Sequence, residues 1–294
     1  MAETWDPEQY EKFSSHRRRP FADLTTRVGA SAPEVVVDLG CGPGPLTLAL
    51  SRRWPQARII GVDSSAEMID QARRNDRLER VEWVRSDVES WDPAQVGAPT
   101  DVIIANALLQ WVPSHRELIP GWIRALAPNG WFAMQVPGNF NAPSHTLLRE
   151  VAARSPRADE LLARLLAGEA VSEPPEYVAL LAGLGCDVDA WETTYQHVLD
   201  PGGEQGGPVL EWTKGTALLP VYEVLKDDGE RADFVAAYGD ALVRAYPRQP
   251  FGTIFAFRRI FAVAHKQRTG DERSAVPAET SQSSPTWQGV QAQN

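Results

Sequence analysis

Short apolar runs alternate with longer amphipathic segments along the first half of the chain. The run Val-Val-Val-Asp-Leu at 35–39 is typical of a strand buried on both faces of a parallel sheet. The alternation predicts strands at 35–39, 58–62, 81–85, 101–105 and 131–136, and helices at 44–53, 65–74 and 114–127. The Pro-Asn-Gly sequence at 128–130 predicts a turn between the last of these helices and the strand at 131–136. Strands separated by helices form right-handed βαβ units, so this half is expected to be a doubly wound α/β domain.

The pattern changes after Pro137. Helical segments are predicted over 143–182 and 209–246, with a strand at 186–198 between them and a last strand at 253–264. These two strands are expected to pair antiparallel at the sheet edge, giving a mostly parallel seven-stranded sheet with a helical lid insertion. The expected units are a cap helix at 1–30, a core at 31–138, a substrate-side region at 139–250, the last core strand at 251–268 and a disordered tail at 269–294.

The turn after the first strand carries the most informative motif, Asp38-Leu-Gly-Cys-Gly-Pro-Gly44. A dinucleotide fingerprint would require Gly or Ala at position 45, which is Pro45. Asp38 would repel a pyrophosphate but suits a cation, and Asp63 ends the second strand, where such sheets place a ribose-binding acid. The glycines alone could merely shape a turn. With both acids, they indicate S-adenosylmethionine, which carries a sulfonium and an ammonium group but no phosphate.

Ligand-compatible residues follow the ends of four consecutive predicted strands, where open α/β sheets bind ligands. Asp87 could accept a hydrogen bond from the adenine amine, or it could only cap a turn. Asn106 and Trp111 could lie near the transferred methyl group, or they could serve a turn and the core. The predicted cofactor-binding residues are Asp38, Gly40, Cys41, Gly42, Gly44, Asp63, Ser64, Met68, Asp87, Val88, Asn106 and Trp111.

With these motifs the chain resembles the class I S-adenosylmethionine-dependent methyltransferases. Stretches in the second half, namely Thr193–His197, Trp212 and Phe257–Phe261, resemble the trans-aconitate methyltransferase family within that class. The resemblance covers about residues 5–266 and implies transfer of a methyl group from S-adenosylmethionine to one carboxylate of a tricarboxylate. The chain departs from the family pattern at Pro45, in an expanded 201–208 segment and in its tail.

The implied reaction needs positioning and no catalytic base, because a carboxylate is already ionised at neutral pH. The carboxylates that do not react require cationic and hydrogen-bonding partners. Side chains alternate along a strand, so Tyr195 and His197 share a face, whereas only one of Arg258 and Arg259 can share it. Either arginine could instead be solvated, and the sequence leaves the choice open. The predicted substrate-binding residues are Tyr195, His197, Arg258, Arg259, Gln135 and His145.

A run of arginines, Arg17–Arg19, precedes the first strand. Such a run is typical of a solvated helix face, although an arm folded over the site would bring one of these side chains to an anion.

Composition limits the kinds of ligand and partner that the chain is expected to bind. The net charge of −10 argues against nucleic acid, and no apolar run is long enough to span a membrane. Two cysteines and five scattered histidines predict neither a disulfide framework nor a metal site. The chain is therefore expected to be a cytoplasmic monomer or weak dimer that acts on a small tricarboxylate, with no metal and no membrane or nucleic-acid partner.

Two other interpretations remain open. A methyltransferase of the same fold could act on another small-molecule acceptor, with no clustered arginines in its pocket. A nicotinamide oxidoreductase is opposed by Pro45, and a non-catalytic S-adenosylmethionine-binding protein is opposed by the long insertion at 201–250.

Overall fold

A computed structural model describes residues 14–167, 171–204 and 206–267. Seven strands form one sheet in the order β3-β2-β1-β4-β5-β7-β6, and β7 runs antiparallel to both of its neighbours. The remaining pairs are parallel, which confirms the predicted doubly wound, mostly parallel sheet. The strands are β1 (Val35–Leu39), β2 (Arg58–Asp63), β3 (Val81–Arg85), β4 (Thr100–Asn106), β5 (Leu126–Pro137), β6 (Cys186–Leu199) and β7 (Thr253–Lys266).

Ten α-helices are present in the described part of the chain, together with two short 3₁₀ segments at Pro93–Val96 and Leu109–Trp111. Each of the two predicted helical stretches after β5 is divided into three helices. Proline occupies the first helical position at Pro143, Pro174 and Pro208, and of these only Pro174 lies inside a predicted stretch. The helices are α1 (Ser14–Thr26), α2 (Pro45–Arg53), α3 (Ala66–Asn75), α4 (His115–Ala125), α5 (Pro143–Ala152), α6 (Ala158–Ala167), α7 (Pro174–Gly183), α8 (Pro208–Lys214), α9 (Leu219–Val224) and α10 (Asp228–Ala245).

One element differs from its predicted bounds in an informative way. β5 begins at Leu126 rather than at 131, and α4 ends at Ala125. The Pro-Asn-Gly sequence at 128–130 interrupts the ladder with β4, whose register shifts between Thr100 and Val102. Regular pairing resumes at Trp131, so the predicted turn is an irregularity inside a longer strand.

The sheet has two covered faces, which we name after one helix on each. On the α1 face, Phe21 and Leu24 of α1 pack with Ile104 of β4 and Phe261 of β7. On the α4 face, Trp122 of α4 and Tyr177 of α7 pack against a separate set of strand residues. Strand alternation then assigns every site residue to one face.

A third core belongs to the helical insertion. Helices α5, α6 and α8–α10 enclose Trp212, Phe234 and Tyr238, and this helical cluster packs against Phe255 and Phe257 of β7. Arg259 pairs with Pro137, the last residue of β5, so the part of β7 before Arg259 extends past the carboxyl ends of the parallel strands. The helical cluster is therefore attached at the sheet edge where ligands bind in this fold.

Several predictions fall on residues outside this description. They concern the N-terminal segment before Ser14, with Trp5, Tyr10 and Phe13, and the tail from 269 onward. Within the described ranges, no helix is both long and apolar enough to cross a bilayer.

Candidate active site

The glycine turn connects β1 to α2 over the end of β2. The N–H groups of Gly40 and Cys41 both donate to the carbonyl oxygen of Val62, at 2.8 and 3.0 Å. Gly44 is the residue that caps α2, with φ +91, and Pro45 is the first residue of that helix. Because the first helical position needs no N–H donor, the proline that departs from the family pattern fits here without cost.

Two of these glycines serve different purposes. A Cβ added to Gly44 would lie 2.7 Å from the Trp83 ring, so packing requires glycine there. A Cβ added to Gly42, which has φ +54, would meet nothing within 4 Å. Gly42 therefore leaves bare backbone facing open space, as a closely approaching ligand requires.

Asp63 at the end of β2 holds the turn with both carboxylate oxygens. Oδ2 accepts from the Gly42 N–H and Oδ1 accepts from the Ser65 N–H, each at 2.9 Å. Each oxygen keeps a second lone pair, so the carboxylate can still accept from a ribose diol.

Asp38 is a buried acid without a cationic partner in the described contacts. Burial raises its pKa to about 7, a hydrogen bond from the Thr47 hydroxyl at 2.6 Å lowers it, and the nearby Asp63 charge raises it further. Burial also raises the pKa of the Cys41 thiol, with contributions from both acids, so this thiol stays protonated. Two acids beside the turn favour a cation and disfavour a diphosphate.

The carboxyl end of β4 and the turn that follows it add two hydrogen-bond acceptors. Asn106 Oδ1 and Gln110 Oε1 are buried and have no hydrogen-bond partner within the described residues. Trp111 is 41% exposed, so it does not lie in the core under α4. Unfilled acceptors, two acids and an open glycine backbone are the features that a cationic nucleoside requires, and the residues present fit S-adenosylmethionine.

The remaining predicted cofactor residues surround the ends of β2 and β3. Asp87 is exposed, and its Oδ1 caps a turn by accepting from the Glu89 N–H at 2.9 Å. Val88 and Met68 are buried, whereas Ser64 is exposed beside Asp63. The turn-capping alternative for Asp87 is therefore present in the structure, with its second oxygen left for other contacts.

On the other side of β4, the α1 face carries a buried arginine. Arg259 is 5% exposed, and its guanidinium donates to Gln135 Oε1 at 3.0 Å. Gln135 is fully buried, and its Nε2 has no hydrogen-bond partner within the described residues. This pair presents a cation and an unused N–H donor at the carboxyl edge, which suits a carboxylate.

Aromatic residues extend this pair along β6. Tyr195 and His197 lie on the same face, as predicted, with ring centroids 6.1 Å apart, and His197 stacks on Trp212 of α8 at 5.2 Å. Tyr195 is 2% exposed, and its hydroxyl donates to Asp23 of α1 at 2.6 Å. The row links the sheet to both α1 and the helical cluster.

Arg258 lies on the α4 face, opposite Arg259. Its guanidinium pairs with Glu173, the residue that caps α7, and with Glu192 of β6. These hydrogen bonds raise the pKa of Arg258, and they commit its charge to fastening α7 and β6 to β7. The structure therefore separates the two arginines that the sequence could not distinguish.

His145 lies in the first turn of α5, within the helical cluster. Burial lowers its pKa to about 4, with a smaller effect from the Arg149 charge, so the ring is neutral at pH 7. Its Nδ1 lies 3.2 Å from the Ser144 hydroxyl, and its ring packs edge-on against Phe140. His145 therefore lies on a helix of the helical cluster, whereas the predicted acceptor residues Tyr195, His197 and Arg259 lie on strands β6 and β7.

Three participants were missed by sequence analysis. The Thr47 hydroxyl donates a hydrogen bond to Asp38, and Asp23 accepts one from the Tyr195 hydroxyl. Asn139 Oδ1 accepts from the backbone N–H of Arg258 at 2.6 Å, while its buried Nδ2 lacks a partner within the described residues. Asn139 follows the end of β5 much as Asn106 ends β4, so the same strand-end signal could have found it. Thr47 and Asp23 offered no such signal, because their roles depend on tertiary contacts.

Comparison with known proteins identifies the family. A family model described as a methyltransferase domain matches residues 36–130, which contain the glycine turn and β1 to β4. Trans-aconitate 2-methyltransferase from Streptomyces avermitilis is 47% identical over 270 residues, covering 90% of this chain and 97% of that protein. The enzyme of the same name from Mycobacterium sp. strain KMS is 49% identical, covering 90% and 100% of the two chains. This chain belongs to the trans-aconitate 2-methyltransferase family.

Solved structures agree on the fold of this methyltransferase family member. The YcgJ protein of a Bacillus species superposes with a TM-score of 0.54 at 16% identity, covering 85% of this chain and 99% of that one. A putative sarcosine dimethylglycine methyltransferase from Galdieria sulphuraria gives 0.51 at 11% identity, covering 90% and 92%. The family and fold expected from the sequence are both confirmed.

The two glycines of the turn give a paired prediction. Gly42→Ala should weaken S-adenosylhomocysteine binding at least about tenfold while costing only about 1–2 kcal/mol of stability, because the added Cβ enters open space at positive φ. Gly44→Ala should cost more stability, because it adds a collision with Trp83 to the same backbone strain. Calorimetric titration and urea unfolding of both variants measure the two effects. Equal losses of binding in the two, at equal stability, would contradict this division.

The raised pKa of Asp38 predicts pH-dependent cofactor binding. A cation favours the ionised acid, so the affinity for S-adenosylmethionine should rise between about pH 5.5 and 7.5, by up to about tenfold per pH unit. Thr47→Val removes the hydrogen bond that lowers this pKa and should move the midpoint to higher pH. Asp38→Asn should bind weakly with a flat profile. A flat profile for the unmodified protein would exclude Asp38 as the titrating group.

Proposed function

We propose that this chain transfers a methyl group from S-adenosylmethionine to one carboxylate of trans-aconitate, producing a monomethyl ester and S-adenosylhomocysteine. The similarity to trans-aconitate 2-methyltransferases along nine-tenths of the chain carries this proposal. The buried Arg259–Gln135 pair supports it independently, because it places a cation where an anionic acceptor has to bind.

The chemistry asks the protein for positioning rather than for proton transfer. When bound, S-adenosylmethionine supplies an electrophilic methyl group on a sulfonium, which is a good leaving group. The attacking carboxylate oxygen is already ionised at neutral pH, so no side chain has to remove a proton. The residues must hold the acceptor in line, exclude water and balance the charge of the carboxylates that do not react.

The cofactor is assigned to the β1, β2 and β4 ends. The turn at Gly40–Gly44 offers bare backbone, Asp63 accepts from the ribose, and Asp38 balances positive charge. The full proposed set is the one predicted from sequence, namely Asp38, Gly40, Cys41, Gly42, Gly44, Asp63, Ser64, Met68, Asp87, Val88, Asn106 and Trp111.

The acceptor is assigned to the β5, β6 and β7 ends. Arg259 supplies positive charge, and Gln135 Nε2, which has no hydrogen-bond partner among the described residues, supplies a neutral donor. Tyr195 and His197 form the aromatic wall, and His145 contributes from α5 as a neutral donor if the helical cluster closes on the site. Arg258 is left out of this pocket, because it is paired with two glutamates on the other face.

The helical cluster has the position of a lid. It contacts the sheet through Phe255 and Phe257 of β7, on the extension past β5, immediately before Arg259. Covering the acceptor from this side would remove bulk water from the ionic contacts and strengthen them. We assign residues 139–250 as a whole to the substrate side of the site and residues 31–138 to the cofactor.

The cellular setting is part of the same proposal. A small acceptor and a net charge of −10 support an enzyme of the cytoplasm that acts without nucleic acid or membrane, as a monomer or weak dimer.

Product analysis tests the function. Incubation with S-adenosylmethionine and trans-aconitate should give S-adenosylhomocysteine and an acid heavier by one methylene group, detected by mass spectrometry. Cofactor turnover only with a different small acceptor would redirect the proposal to another substrate of the same fold.

The two arginines provide a matched comparison. Arg259→Gln should raise the KM for trans-aconitate about 10- to 100-fold, which is the usual effect of losing a charged hydrogen bond. Arg258→Gln should leave KM within about twofold and instead lower stability, because it releases the two glutamates. Steady-state kinetics and thermal unfolding of both variants are the measurements. The opposite assignment would appear as a raised KM only in Arg258→Gln.

A further inference from the structure

Helix α1 places charged side chains beside the acceptor site. Near its carboxyl end, Arg27 pairs with Asp189 at 2.5 Å and lies 4.2 Å from the Trp191 ring centroid. Nearer its start, Asp23 accepts from the Tyr195 hydroxyl. The helix therefore runs antiparallel to β6, and its first turns approach the carboxyl edge of the sheet.

Two arginines approach Tyr195 from different elements. The Arg19 guanidinium carbon lies 5.0 Å from the Tyr195 ring centroid. The Arg259 guanidinium lies 4.6 Å from the ring of Phe257, the residue that pairs with Tyr195 across the two strands. These two distances place both positive charges around the Tyr195 side chain. Burial and the Asp23 contact raise the pKa of the Tyr195 hydroxyl, and the two arginine charges oppose that rise.

We propose that Arg19 and Arg259 together form a two-cation site for the two carboxylates of the tricarboxylate that do not react, with Asp23 as the internal carboxylate that a substrate carboxylate replaces. This inference rests on the proposed function and adds a second specificity-determining cation to it. The chemistry calls for it, because one buried arginine balances one spectator carboxylate and the chain as a whole is acidic.

The role of Asp23 follows from its contact. Its carboxylate accepts a hydrogen bond from the Tyr195 hydroxyl at 2.6 Å, and its side chain is solvent-exposed. A charged acid at this point holds α1 on β6 before substrate binds and opposes a second carboxylate there. An exposed acid is displaced at lower cost than a buried one, because water solvates it again.

The test uses the full chain loaded with S-adenosylhomocysteine for binding and with S-adenosylmethionine for kinetics. Arg19→Gln should weaken trans-aconitate binding and raise KM about 10- to 100-fold, with kcat changed less than about threefold. Arg19→Lys should recover part of the loss. Asp23→Asn keeps an acceptor for Tyr195 but removes the charge, so its KM should fall.

Two control variants separate charge from helix docking. Arg18→Gln removes a neighbouring exposed arginine of the same helix and should leave KM within about twofold. Arg27→Gln loosens α1 from β6 without touching the site and should likewise leave KM near its original value. An unchanged KM in Arg19→Gln, an equal rise in Arg27→Gln, or a rise in Asp23→Asn would overturn the inference.

The same measurements separate the two proposals. Ester formation that is indifferent to Arg19 would remove the inference and keep the function. Binding of trans-aconitate that depends on Arg19, but yields no ester, would do the reverse. A chain that neither binds nor methylates trans-aconitate would overturn both.

Discussion

The candidate acceptor site depends on the register between β5 and β7. Arg259 pairs with Pro137, so its side chain emerges on the α1 face at the end of the parallel strands, two residue pairs beyond Gln135. A slip of one residue would exchange the faces of Arg258 and Arg259. It would place the arginine among the apolar residues of the α4 face and leave Glu173 and Glu192 without their cation. Burial on both faces therefore determines the register, and the register determines which arginine faces the candidate acceptor site.

The two acids and the buried arginine of the candidate site lie on different strands, and this separation matches the two proposed ligands. Asp38 and Asp63 lie on β1 and β2, whereas Arg259 lies on β7. Between β1 and β7 stand β4 and β5, which separate the acidic and basic strands by about 14 Å at ordinary strand spacing. The strand ends in the middle carry neutral amides, Asn106 and Gln135. The acids and the arginine are thus too far apart to form ion pairs with each other.

The sequence was sufficient for the first half of the fold because the strand pattern there is strong and the connections between those strands are short. The ends of the first four strands pointed to Asp38, Asp63 and Asn106 without any tertiary information, since the carboxyl edge of a parallel sheet collects such residues, whereas Gln135 was predicted from the family resemblance. The choice between Arg258 and Arg259 required the register of β7, which no local pattern contains. The partner of Tyr195 was likewise out of reach, because Asp23 is 172 residues away along the chain. The Pro-Asn-Gly sequence at 128–130 predicted a turn, but the periodicity did not show that this turn lies inside β5 or that the 209–246 stretch is divided into three helices.

Helix α1 lies beside the acceptor side of the site, and its two ends are held to the rest of the protein by different contacts. Its carboxyl end is held by Arg27 on Asp189 and by Arg53, which donates to the carbonyl oxygens of Thr25 and Val28. Phe21 and Leu24 bury its middle against the sheet. Toward the carboxyl edge, the described polar contacts are those of Asp23 and Arg19 with a single tyrosine. Exchanging one carboxylate for another at that tyrosine changes the charge at the mouth of the site while the anchored part of the helix stays in place. A helix fixed in this way can respond to an anion without any rearrangement of the sheet that holds the cofactor.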